Sequence, residues 1–255
     1  MEPTFLLIGA QKSGTTALYD QLMELPAFLS ASAKEIPDLS YENCRVDLYK
    51  LKFPYKKKGC STGNACHLDM YSPFGAINIK NHFPKAKLIV IMRDPVDRAY
   101  SHFKMDKKFN WIGDKVTFQD YVKFELAILK RMDNIYDIEE LYNNTRMFKA
   151  PFGMTVGKGI YHTFLKHFDA LGLNYLPVCL EEYNANFLDQ FKKILNFLEL
   201  NEGIENFSEM KHSNKSISLD EDSHEYNSVK NELIEFYQPH NKKLFKQLGT
   251  NYPWK

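Results

Sequence analysis

Gly9-Ala10-Gln11-Lys12-Ser13-Gly14-Thr15-Thr16 decides how this chain is read. A short apolar run, Phe5-Leu6-Leu7-Ile8, precedes it, and a helix-like run, Ala17-Leu18-Tyr19-Asp20-Gln21-Leu22, follows. Strand, glycine-containing turn and helix present backbone N–H groups and a helix N-terminus to a phosphate. The spacing G-x-x-x-x-G is that of a P-loop, but the G-K-[ST] ending is absent. Thr15 stands where the nucleotide-triphosphate lysine belongs, and the lysine sits inside the loop as Lys12. The cradle is kept and the cation relocated, which points to a phosphate-type ligand other than ATP with magnesium.

A second segment has the same logic. Leu88-Ile89-Val90-Ile91-Met92 is long enough for a buried strand. It runs into Arg93-Asp94-Pro95-Val96-Asp97-Arg98-Ala99-Tyr100-Ser101. With a helix starting near Pro95, Ser101 lies about two turns in. An arginine fork plus a hydroxyl holds a terminal phosphate. The chain thus offers two anion sites, each at the C-terminal end of a strand.

Together these motifs resemble the sulfotransferases that use 3′-phosphoadenosine-5′-phosphosulfate (PAPS). In that family the first loop grips the 5′-phosphosulfate and an R-D-P-x-x-R-x-x-S segment grips the 3′-phosphate. The look is closest to the heparan-sulfate-type (carbohydrate) branch and its bacterial relatives. Phe5–Gly9 with Thr15–Tyr19 resembles the start of the N-sulfotransferases, Lys34-Glu35 a K-E pair, and Gly159-Ile160-Tyr161-His162 a G-x-Y-H segment. Phe236–Phe245 with Tyr252-Pro253-Trp254 resembles the closing helix and tail.

The resemblance implies roles. Lys12 faces the leaving group. Gln11, Lys12, Ser13, Gly14, Thr15 and Thr16 hold the 5′-phosphate side, Arg93 and Ser101 the 3′-phosphate, and Tyr161 lines the cofactor's phosphate side. Glu35 is the general base, with His67 and Asp69 as rivals. The rivals stay open because the family's G-E-K-[ST]-P-x-Y segment reads here Ala65-Cys66-His67-Leu68-Asp69-Met70-Tyr71. The late nucleotide loop is also altered, to Met210-Lys211-His212-Ser213-Asn214-Lys215-Ser216, with Lys211 or Lys215 reaching the nucleotide. No metal is implied.

Bulk properties narrow the class. The chain has 255 residues, 44% of them apolar, and 33 Lys and Arg against 32 Asp and Glu. Near-neutrality gives no global field for nucleic acid and no reason to invoke a membrane surface. Lysines cluster at Lys56-Lys57-Lys58 and at Lys104, Lys107 and Lys108, either as solvated surface or as a lure for an anionic acceptor. No apolar run reaches membrane-spanning length. The glycan-modifying members of the family are Golgi proteins with an N-terminal anchor; this chain opens on Met1-Glu2-Pro3-Thr4, and a cytoplasmic location is expected. Cys44, Cys60, Cys66 and Cys179 are read as reduced thiols, since a zinc site at Cys60, Cys66 and His67 lacks a C-x-x-C and a second pair.

Along the chain, strands at 5–8, 28–31, 87–92 and 175–180 alternate with helices at 15–24, 73–82, 96–107, 116–132, 159–170, 186–198 and 228–248. Residues 38–66 and 134–158 carry no clean period. The expectation is an α/β, P-loop-like three-layer fold with a central parallel sheet flanked by helices. One domain spans 1–255, with about 38–72 as an acceptor-side insertion or lid. The expected activity is sulfuryl transfer from PAPS, leaving 3′-phosphoadenosine-5′-phosphate (PAP), to a hydroxyl or amine of a small-molecule or carbohydrate acceptor. The alternatives are a P-loop nucleotide kinase or hydrolase, which needs a lysine after Gly14, and a catalytically silent PAPS- or PAP-binding protein.

Overall fold

A computed structural model describes residues 2–55, 59–146, 155–200 and 224–254. The chain forms two compact units, Met1–Met92 with Phe168–Lys215, and Arg93–His167 with Ser216–Lys255.

The first unit begins with β1 (Phe5–Gly9), α1 (Thr15–Met23) and β2 (Phe28–Ser30). A 3-10 turn (Asp38–Ser40), α2 (Val46–Lys50), β3 (Ser61–Ala65), α3 (Leu68–Tyr71), α4 (Pro73–His82) and β4 (Lys87–Met92) follow. In the second unit lie α5 (Pro95–Lys108), α6 (Phe118–Leu129), α7 (Ile138–Arg146) and a 3-10 turn (Gly157–Gly159). Helix α8 (Tyr161–Ala170) leads back to the first unit, which adds β5 (Tyr175–Cys179), α9 (Leu180–Ala185) and α10 (Phe187–Phe197). The last helix, α11 (His224–Leu248), belongs to the second unit.

The five strands form one sheet in the order β2-β3-β1-β4-β5, and every pairing is parallel. Strand order reverses at β1, and ligands in such sheets bind outside the carboxyl ends of the strands at that reversal. Both faces of β1 and β4 are buried, which is why they read as continuous apolar runs. On one face Phe5, Leu7, Ile89 and Ile91 meet Leu18 and Leu22 of α1 and Phe191, Ile194 and Leu195 of α10. Opposite, Met70 of α3 lies against Gly9 so closely that a Cβ there would meet its sulfur at 2.8 Å. The expected α/β architecture, a central parallel sheet flanked by helices, is what the chain forms.

Several elements fall where the sequence shows no period. Helix α7 lies within 134–158, and the Asp38–Ser40 turn, α2 and β3 lie within 38–66. Of these β3 is a core strand, paired on one edge to β1 and on the other to β2. Its residues, Ser61-Thr62-Gly63-Asn64-Ala65, are small and polar, and ladder bonds on both edges rather than apolar alternation hold them. Gly63 is required there, because a Cβ would come 2.5 Å from the Phe5 carbonyl oxygen.

The second unit packs α5, α6 and α11 around Tyr100, Phe103, Phe118, Tyr121 and Tyr226. Thr117 and Asp120 close α6 with a capping box.

A candidate phosphate and acceptor site

In the first unit, the carboxyl ends of β1, β2 and β3 lead into Gln11–Thr16, Lys34-Glu35 and Cys66-His67, respectively. The loop after β1 turns through two left-handed residues, Lys12 (φ 67°) and Gly14 (φ 90°). Gly14 takes this conformation without cost; Lys12 takes it as a strained exception. Gly14 is the N-cap of α1, and no side chain caps that terminus. The first-turn N–H groups of α1 therefore lack the side-chain partner that most helix starts recruit. Ser13 is fully buried, and its Oγ has no hydrogen-bond partner among the described residues. An uncapped helix start, an orphaned hydroxyl and a lysine in one turn match the needs of a phosphate group.

The loop is tied to the acceptor-side candidates. The Gln11 N–H donates to the Tyr71 hydroxyl at 3.2 Å. The ring of Tyr71 lies edge-on to that of His67, centroids 6.4 Å apart. His67 Nδ1 stands 3.6 Å from Glu35 Oε1. Glu35 is also left-handed (φ 57°). The strand β3 holds its backbone: the Glu35 N–H donates to the Ala65 carbonyl at 3.1 Å. The buried amide of Asn64 brackets the next residue, accepting from the Ile36 N–H at 3.2 Å and donating to the Ile36 carbonyl at 2.8 Å. His67, assisted by Lys34 and Lys12, holds the Glu35 carboxyl below the usual carboxylate range. Lys34, the neighbour in the K-E pair, bonds Asp20 at 3.1 Å.

Asp69 is placed elsewhere. It is 1% exposed, and its Oδ1 accepts from the Ser40 hydroxyl at 2.7 Å, tying α3 to the 3-10 turn at Asp38–Ser40. Of the three base candidates, the structure brings Glu35 and His67 together and puts Asp69 in the interior. Burial pushes the Asp69 carboxyl up to about 7. A carboxyl raised on folding adds stability below its unfolded value, and that stability is lost as pH rises through about 7. Asp69→Asn should abolish this slope. Relative to wild type, the variant should gain by up to a few kcal/mol between pH 5 and pH 8, read by denaturant melts at each pH.

In the second unit, Arg93 follows β4 directly and is 9% exposed. Its carbonyl accepts from the Tyr161 hydroxyl at 2.8 Å. Asp94 caps α5 by accepting from the Val96 N–H at 2.9 Å, and Pro95 opens the helix. Ser101 is half-buried two turns in. Arg98 is fully buried, donating to the Thr155 carbonyl and standing 3.5 Å from His102 Nδ1, so it serves the interior. Sequence reasoning missed the support beneath Tyr161. Both oxygens of buried Glu125 accept backbone N–H groups, from Val156 and Gly157, each at 2.7 Å. Tyr237 donates to the Val156 carbonyl at 2.7 Å. A Cβ at Gly159 would meet the Tyr237 oxygen at 2.7 Å and Pro95 Cβ at 2.9 Å. The turn before α8 is thus held by a carboxylate, a phenol and a close backbone approach.

Lys215, Lys211 and Lys56–Lys58 lie outside the described residues. Cys44, Cys60, Cys66 and Cys179 are free thiols. Among the described residues no helix is long and apolar enough to cross a membrane.

Comparison with known proteins follows the same lines. A region of the human bifunctional heparan sulfate N-deacetylase/N-sulfotransferase 3 is 36% identical over 115 residues, 40% of this chain and 13% of that protein. Mouse carbohydrate sulfotransferase 15 is 26% identical over 251 residues, 78% of this chain and 44% of that protein. The chain therefore spans less than half the length of these curated relatives. A solved sulfotransferase from Alicyclobacillus acidocaldarius superposes with a TM-score of 0.72 at 20% identity, covering 99% of this chain and 98% of that one, a likeness of fold. The sulfotransferase domain profile matches residues 2–255, and the chain belongs to that family.

Proposed function

We propose that this protein transfers the sulfuryl group of PAPS to a hydroxyl or amine of a carbohydrate or small-molecule acceptor. One observation carries the reading: the turn after β1 joins an uncapped helix N-terminus, the orphaned Ser13 Oγ and Lys12. Family membership supplies the reaction class, and the names of the relatives favour a sugar acceptor.

Each residue has a physical task. The amides of residues 13–16 and the hydroxyls of Thr15 and Thr16 hold the 5′-phosphate. Lys12 neutralises charge growing on the oxygen that bridges phosphorus and sulfur. Arg93 and Ser101 hold the 3′-phosphate, with Tyr161 keeping the Arg93 backbone in place. Glu35 takes the acceptor proton as the acceptor oxygen or nitrogen bonds to sulfur and the bridging S–O bond breaks. The products are the sulfated acceptor and PAP. The work is positioning and electrostatics, by analogy with phosphoryl transfer.

The test is calorimetry with PAP and with magnesium ATP, on wild type and Arg93→Ala. Wild type is expected to bind PAP at micromolar or lower Kd and to prefer it strongly over ATP. Arg93→Ala should lose about 100-fold in PAP affinity, the worth of two charge-assisted hydrogen bonds. Equal affinity for ATP and PAP overturns the reading.

A further inference from the structure

We propose that Asn64 and His67 are positioning residues for Glu35, the first fixing its backbone and the second its carboxylate. The inference rests on the reading of Glu35 as the base and adds how that base is aimed.

Glu35 sits in a conformation that a non-glycine residue does not adopt without help. The help comes from one strand. Ala65 accepts the Glu35 N–H, and Asn64 bonds both polar backbone groups of Ile36. Asn64 is 1% exposed, and its amide accepts from an N–H through the oxygen and donates to a carbonyl through the nitrogen at once. Three hydrogen bonds over two consecutive residues leave the Glu35 backbone little freedom. The carboxylate itself is half-exposed, and His67, mostly buried, approaches its Oε1 at 3.6 Å. Tyr71 lies against His67 and accepts from Gln11. A continuous set of contacts thus runs from the phosphate loop to the acceptor-side carboxylate. The charged groups that Glu35 feels are His67, Lys34 and Lys12.

The experiment is a carbon-13 NMR titration of the Glu35 carboxyl in the full chain, paired with kcat, acceptor KM and PAP affinity. Wild type, His67→Gln and Asn64→Asp are compared. In His67→Gln the Glu35 titration should move to higher pH, and the acidic limb of the kcat profile should move with it. In both variants kcat should fall about 10- to 100-fold, the cost of a misplaced catalytic group. PAP affinity should stay within about twofold, which also reports that the variant is folded. Asn64→Asp keeps the acceptor for Ile36 N–H and loses the donor once its buried carboxyl is ionised, so its kcat is compared with wild type in alkaline buffer. An unmoved Glu35 titration in His67→Gln overturns the role of His67, whatever the activity. Wild-type kcat in Asn64→Asp overturns that of Asn64. A titration that moves in a protein binding PAP but transferring no sulfuryl group refutes the functional reading and leaves the His67 contact standing.

Discussion

Lys12→Ala should lower kcat by about 10²–10³-fold, the usual loss when a preorganised group facing developing charge is removed. The bridging oxygen gains negative charge only as the S–O bond breaks. Interactions stronger in the transition state than in the ground state act on kcat. PAP affinity should fall much less, because the backbone amides of 13–16 remain. Single-turnover transfer from radiolabelled PAPS, with PAP calorimetry beside it, separates the two effects. Equal losses in affinity and rate would make Lys12 a binding residue instead. An unchanged rate would remove it from the reaction.

Glu35→Gln should cost about 10²–10⁴-fold in kcat, the range for loss of general base catalysis. The substitution preserves shape and leaves the backbone bonds to Ala65 and Asn64 in place. His67 holds the Glu35 carboxyl below the ordinary range. The ionised, proton-accepting form is therefore present above that depressed value and lost only as pH falls through it. From pH 6 to pH 8 the Glu35 contribution should be flat, with decline confined to more acidic buffer. A variant that retains wild-type kcat would transfer the base role to His67.

The strand-to-helix turns after β1 and β4 were legible because their signals are local. A glycine turn after an apolar run, or an arginine ending one, keeps its meaning wherever the chain goes. Strand β3 was not legible, since Ser61-Thr62-Gly63-Asn64-Ala65 shows neither apolar alternation nor an apolar run. Its place comes from two neighbours contributed by distant segments. The same distance hid Asn64, whose partner is Ile36, and Glu125, whose partners are Val156 and Gly157. Asp69 illustrates the converse. As a residue type beside His67 it looks like a base, and only burial against Ser40 distinguishes it.

The left-handed backbone at Lys12 and Glu35 sets stability against chemistry at both positions. Glycine tolerates that geometry, so Lys12→Gly or Glu35→Gly relieves on the order of 1 kcal/mol each. Directed evolution under heat alone would therefore drift toward glycine at two positions and enrich sturdier proteins stripped of the side chains assigned to turnover. Any thermostability campaign on this scaffold needs activity as a second gate.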